Sequence, residues 1–444
     1  AATPQPAWEV TGNQANALLG WSVNTADDVN GDGFADVIVG ATYYSDDNVD
    51  EGHAFVYHGS LAGLSQSPDW TADGDQASAY FGAAVSGVGD VNGDGYDDVI
   101  VGADFYDGGQ TDEGGTYVYH GSAVGLSNDP AWAAQGEQAA AFFGGAAGPA
   151  GDVNGDGYAD VIVGARGYSN GQTEEGRAYV YYGSAAGLSP NPDWMMESDQ
   201  AHARFGAAVG PAGDVNDDGF DDVVVGAWAF DDGQSDEGRA FVYLGSATGL
   251  SLTPHWMAES DQINARFGFA VNTAGDVNGD GYDDLLVGAP RYDDGLIDQG
   301  RVYLYLGSPS GVAAVPAWIV SGSVAGADWG SAVSTAGDAD GDGYDDVIIG
   351  ADWYSHDETQ EGAAFIYNGS PAGLGLAPNW VIESDQEGAW LGFALGAAGD
   401  VNGDDLADVI VGAILFDDGQ MDEGWAAVYL GHPLFRHYFP LVRR

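Results

Sequence analysis

The chain has no cysteine, so neither a disulfide framework nor thiol chemistry enters its design. It has no lysine either: its 10 basic residues are all arginine, set against 69 aspartates and glutamates, and the formal charge is −59. A surface of that sign repels nucleic acid and anionic lipid; it suits cationic partners, divalent ions or a salty medium. No apolar run approaches the roughly 18 residues that span a bilayer as a helix, so membrane insertion is not expected. No segment keeps a 3.6-residue apolar period over a helical length. Catalytic signatures are equally scarce. The 8 histidines are scattered; His58 and His120 are equivalent by position, but their later counterparts are Tyr182, Leu244 and Leu306. There is no Ser-His-Asp elbow, phosphate loop or histidine-rich cluster, and the abundant paired carboxylates recur, whereas an active site is normally singular. The expectation is a protein that does not catalyse.

What the chain has is a repeat, and in a repeat protein the period decides the architecture before length does. A nine-residue stretch, Asp28-Val29-Asn30-Gly31-Asp32-Gly33-Phe34-Ala35-Asp36 in its first copy, occurs again from Asp90, Asp152, Asp214, Asp276, Asp338 and Asp400, each start 62 residues beyond the last (90 minus 28, and so on). Oxygen-bearing side chains stand at alternate positions. Position 3 is Asn30, Asn92, Asn154, Asn216, Asn278, Asp340 and Asn402; position 5 is Asp32, Asp94, Asp156, Asp218, Asp280, Asp342 and Asp404; position 9 is Asp36, Asp98, Asp160, Asp222, Asp284, Asp346 and Asp408. A hard cation takes six to eight oxygens, and a chain turned tightly on glycine can aim alternate side chains at it. The expected ligands are these side chains, those of the aspartates at position 1, and the backbone carbonyls of Phe34, Tyr96, Tyr158, Phe220, Tyr282, Tyr344 and Leu406 at position 7. Up to seven Ca2+ ions are expected, one per repeat. The loop is not an EF-hand, because Val39 stands where a bidentate glutamate belongs and a strand follows it. Asp340 gives the sixth loop a fourth carboxylate. Asp217 in the fourth lies outside the ligand set. Asp405 replaces the position-6 glycine of the seventh, where an unusual backbone angle is needed, so that site is the least suited to an ion.

Each repeat holds four strand candidates punctuated by Gly, Asp, Asn and Pro turns. Four short antiparallel strands make a β-propeller blade. Trp8, Trp70, Trp132, Trp194, Trp256, Trp318 and Trp380 keep the same spacing and are read as packing between blades. The first tryptophan segment precedes the first loop, and the last copy stops after its third strand. The N-terminal strand therefore completes the last blade and closes an all-β ring of seven four-stranded blades over residues 1–431. Residues 432–444 match no part of the repeat; they are aromatic and carry Arg436, Arg443 and Arg444. The opening Ala1-Ala2-Thr3-Pro4-Gln5-Pro6, without an initiator methionine, reads as a mature end after signal cleavage or as a cloning boundary.

Phe81-Gly82, the loop Asp90–Asp98, the run Val99-Ile100-Val101-Gly102-Ala103 and Asp112-Glu113-Gly114 before the third strand together resemble the FG-GAP repeat of integrin α-subunit propellers. The resemblance extends over all seven copies, although Phe-Gly becomes Leu19-Gly20, Trp329-Gly330 and Leu391-Gly392 in three. It implies a secreted or cell-surface propeller with calcium in the loops of one face and partner contacts on the other. The function expected is adhesion or protein interaction. One alternative is a structural subunit that self-associates into a filament through its C-terminal tail. Another is a lectin or enzyme working on polysaccharide. The acidic turns on the far face, such as Asp231–Gly238 and Asp417–Gly424, are read either as solvated hairpin tips or as an anionic binding face.

Overall fold

A computed structural model describes residues 5–433 of the chain. Those residues form seven four-stranded antiparallel sheets. In blade one an inner strand, Leu19–Asp27, leads through the nine-residue loop into Asp36–Ala41, then His53–Tyr57, then the outer strand Trp70–Asp73. The later blades repeat that order. The second strand, Asp-Val-Ile-Val-Gly-Ala in blade one, is buried at every residue in all seven blades. Neighbouring blades cover both its faces, so it reads as a continuous apolar run and not as an alternating one.

The ring closes as the offset of the repeats predicts. Trp8–Thr11 pairs antiparallel with the last strand, in the register Trp8↔Val428 to Thr11↔Trp425, and so becomes the outer strand of the seventh blade.

The hydrophobic core is distributed among the blade interfaces. One cluster joins Trp8, Ile410 and Val428 of blade seven to Leu19, Val37 and Tyr57 of blade one, and six others repeat it around the ring. The residue before the glycine of each Phe-Gly element is buried, including the variants Leu19, Trp329 and Leu391. The glycine has its own reason. Gly82 holds φ at +88°, and a Cβ on Gly40 of the preceding blade would lie 2.2 Å from its carbonyl oxygen, so the two backbones touch where any side chain would part them.

The tryptophan series packs as expected. Each indole meets the tyrosine that ends the third strand of the next blade, from Trp8–Tyr57 at 4.7 Å to Trp380–Tyr429 at 5.3 Å. From Trp8 to Trp318 each Nε1–H also donates to a carbonyl of the next blade's outer loop, Ser65, Ser127, Ser189, Ser251, Ala313 and Gly375 in turn. The series therefore serves packing between blades, with Trp132 and Trp380 only partly buried.

Candidate metal centres and the opposite face

All seven nine-residue loops lie at one end of the ring, between the inner and second strands. In each, the position-1 aspartate turns back into its own loop. Its Oδ2 accepts the position-6 N–H at 2.7 to 2.9 Å. The position-5 aspartate accepts the position-7 N–H at 3.1 to 3.3 Å. The position-9 aspartate is buried and fixed from two sides. Its Oδ2 accepts the position-2 N–H, at 3.2 Å for Val29 to Asp36, and its Oδ1 accepts a glycine N–H after the third strand, at 2.8 Å for Gly59. The same pair of bonds recurs in the other loops, ending with Val401 and Gly431 on Asp408.

The arrangement disfavours three ionised aspartates in each loop with no cation among them. Burial, then the aspartates at positions 1 and 5 (for Asp346, Asp340 at position 3 and Asp338 at position 1), push Asp36 and Asp346 up to about 8 and Asp98, Asp160, Asp222, Asp284 and Asp408 up to about 7, although each receives two N–H bonds. An ion bridging the three aspartates would reverse that penalty. Two further observations fit an ion. Asn216 Oδ1, at position 3, is buried with no hydrogen-bond partner. In the sixth loop, oxygens of Asp338, Asp340 and Asp346 lie within 4.8 Å of one another. The seventh loop keeps the common shape in spite of Asp405. That residue adopts φ 65°, its N–H still reaches Asp400 at 2.9 Å, and a Cβ at the equivalent Gly33 would meet nothing within 4 Å.

Two roles in these loops are not visible in the spacing of oxygens. In five of the seven loops the position-7 ring lies on the position-4 glycine of the loop before it; Leu406 lies on Gly341 in the same way, and the fourth loop has Asp217 in place of that glycine. A Cβ on Gly31 would sit 2.6 Å from the Tyr96 ring, and Phe34 closes the circle on Gly403. Position 8 carries Asp97, Asp221, Asp283 or Asp345 in four blades. These accept the N–H of Asp28, Asp152, Asp214 and Asp276 in the preceding loop at 2.7 to 3.0 Å, which ties neighbouring loops together.

On the opposite face the acidic turns are not simply solvated tips. The glutamate before the closing glycine of the turn, at 51, 113, 175, 237, 361 and 423, is at most 3% exposed. In five of the six, all but Glu113, it accepts backbone N–H groups of its own hairpin; Glu361 Oε1 takes those of His356, Asp357 and Glu358. The glutamines of the preceding turns are clamps as well. Gln262 Nε2–H donates to the Asp293 carbonyl at 3.0 Å and its Oε1 accepts the Asp293 N–H at 2.6 Å, joining blade four to blade five. The side chains of the remaining tip aspartates stay at the surface.

Residues 19–57, 81–119, 143–181, 267–305 and 329–367 match the FG-GAP repeat. The chain carries FG-GAP repeats. Integrin alpha-5 of Xenopus laevis is 32% identical over 246 residues, covering 53% of this chain and 21% of that protein. Phosphatidylinositol-glycan-specific phospholipase D of Mus musculus is 36% identical over 166 residues, covering 36% of this chain and 20% of that enzyme. The FG-GAP chain thus spans about a fifth of the length of these curated relatives. A crystal structure of BBS1N in complex with ARL6DN superposes on 97% of both chains with a TM-score of 0.51 at 12% identity, a likeness of fold alone. Among the described residues no helix is long and apolar enough to cross a membrane.

Proposed function

We propose that this chain is a calcium-loaded extracellular propeller that binds a protein partner and does not catalyse. The loops carry the calcium half of this reading: seven buried position-9 carboxylates face two aspartates apiece, and oxygen donors alone surround the gap between them. Oxygen-only donor sets favour calcium among common divalent ions. Likeness to integrin α-subunits supports the partner half. So does the face away from the loops, where Ile263, Leu296 and Ile297 are 56%, 42% and 72% exposed. The turn bearing Ile263 is bonded through Gln262 to the hairpin bearing the other two. An apolar anchor set in an acidic rim suits a partner with a hydrophobic centre and basic edges.

The test is retention of the labelled chain on cells or matrix proteins in calcium and in chelator. Calcium-dependent retention lost in Ile297→Asp supports the reading; retention unchanged by both treatments sinks it. The filament alternative rests on the aromatic, basic tail, whose residues 434–444 lie outside the described ones. Light scattering of a chain ending at Gly431 decides it: assembly that vanishes with the tail supports a filament subunit. The polysaccharide alternative has one feature of its own, a polar groove between blades two and three lined by Gln135, Glu137, Tyr168, Arg177 and Tyr179. Binding on a glycan array that is lost in Arg177→Ala would favour it.

A further inference from the structure

We propose that blade six carries a second kind of cation site, for a transition metal of the Zn2+ type, held by His356, Glu361 and Glu383 on the face opposite the calcium loops. One ligand atom from each of the three lies within 4.8 Å of the others. Glu361 is fully buried; its Oε1 is engaged by three backbone N–H groups, while its Oε2 is buried with no hydrogen-bond partner. His356 Nδ1 stands 3.3 Å from Glu383 Oε1.

The repeat shows what is different here. In blades three, four and five the third strand opens with Arg177, Arg239 or Arg301. Arg177 pairs with Glu197, Arg239 with Asp232 and Glu259, and Arg301 with Asp294 at 2.5 Å. Each guanidinium is the cation among the carboxylates of its hairpin. In blade six the arginine position is Ala363 and the hairpin acid of blades four and five is His356. The acids at 361 and 383 remain, the built-in cation is gone, and an imidazole has arrived beside the vacated space. Blade three also gathers Glu175, Glu197 and Asp199, but there Arg177 already sits on Glu197.

One imidazole nitrogen and two carboxylate oxygens, with an outer position left for water, match zinc coordination; calcium prefers oxygen alone. Bonds of about 2.1 Å draw tetrahedral donors to about 3.4 Å apart. The His356 side chain is 57% exposed and has room for that adjustment.

The experiment is a zinc titration of the full chain by calorimetry in saturating calcium, which keeps the nine-residue loops filled throughout. His356→Ala removes one donor at the surface. Glu361→Gln removes the buried charge while keeping a side chain that blade five already uses at this position, as Gln299. Before zinc is added His356→Ala should melt with the wild type, and Glu361→Gln no lower than it. The wild type should then bind one more Zn2+ per chain than either variant and alone show a zinc-dependent rise in melting temperature. Equal zinc stoichiometry in all three, or no zinc bound by the wild type, overturns the proposal and leaves His356 as the partner of an ordinary ion pair with Glu383. If Glu361→Gln fails to fold, His356→Ala carries the test alone. Neither result bears on calcium in the loops.

Discussion

Asp218 shows what a single ligand contributes. It lies at the exposed position 5 of the fourth loop, where its side chain accepts the Phe220 N–H at 3.2 Å, and an asparagine can accept that bond equally well. Asp218→Asn should therefore leave the calcium-stripped protein as stable as before. In calcium at a hundredfold excess over the dissociation constant it should forfeit up to about 2.7 kcal/mol, the contribution of one filled site. Calorimetry of both proteins with and without calcium reads the two effects separately, and an equal loss in both conditions would mean that Asp218 acts through the fold and not through an ion. The position-9 aspartates give a pH signature of the opposite kind. Their folded-state values, raised to about 7 or 8 from an unfolded 3.8, mean that the stripped native state holds more protons than the unfolded chain between those limits. Stability must then fall as pH rises through that window. Stripped protein should melt higher at pH 5 than at pH 8. In calcium the trend should disappear or reverse, because protons and calcium compete for the same oxygens.

At the scale of the element, the hairpin glutamates are the least economical part of the blade. Glu237 is fully buried, and burial holds its carboxyl above the usual range while its Oε2 finds no partner. Blade five has solved the same problem differently: Gln299 accepts the Leu296 N–H at 2.7 Å and donates to the Gly322 carbonyl at 2.8 Å. Glu237→Gln should copy that arrangement onto the Ser260 carbonyl and stabilise the protein by about 1 kcal/mol, read as a rise in melting temperature at pH 7; a fall would show that the carboxylate is needed as a charge. These glutamates also mark where the sequence was hard to read. The strands, the blade count, the closing strand and the oxygens of the loops all follow from a 62-residue period and from alternation, which are properties of neighbours along the chain. A glutamate that folds beneath its own hairpin looks, in sequence, like any acidic turn. Asp97 and its counterparts were missed for a related reason: their partners are backbone N–H groups 69 residues away in the preceding blade. His356 could have been found earlier by aligning the seven hairpins, since it is the one histidine at a position otherwise held by Asp, Asn or Gly.

For the whole molecule, the seam between the two ends of the chain is the decisive feature. Six outer strands pair with the strand just before them in the chain; Trp8–Thr11 pairs with residues more than 400 positions away, as Trp8↔Val428 shows. Trp256, the equivalent residue in blade four, pairs with Val242 only 14 positions back (256 minus 242). Closing the longer loop costs about 3 kcal/mol more by the logarithmic dependence on length. The seam compensates with contacts of the ordinary kind: the Trp8 indole on Tyr57 and its N–H on the Ser65 carbonyl, together with a bond from Trp425 Nε1–H to Glu9 at 3.1 Å. Since the contacts are matched and the entropy is not, the seam should be the first part of the ring to open. Amide hydrogens of Glu9 to Thr11 should exchange faster than those of Met257 to Glu259 under native conditions. Trp8→Ala should cost about 3 to 5 kcal/mol and spread fast exchange to residues 425–429, while blades two to five keep their protection. Because each blade interface has its own hydrophobic cluster, opening at the seam need not unravel the ring. Uniform loss of protection around all seven blades in Trp8→Ala would show instead that the ring stands or falls as one unit, with the seam as its keystone.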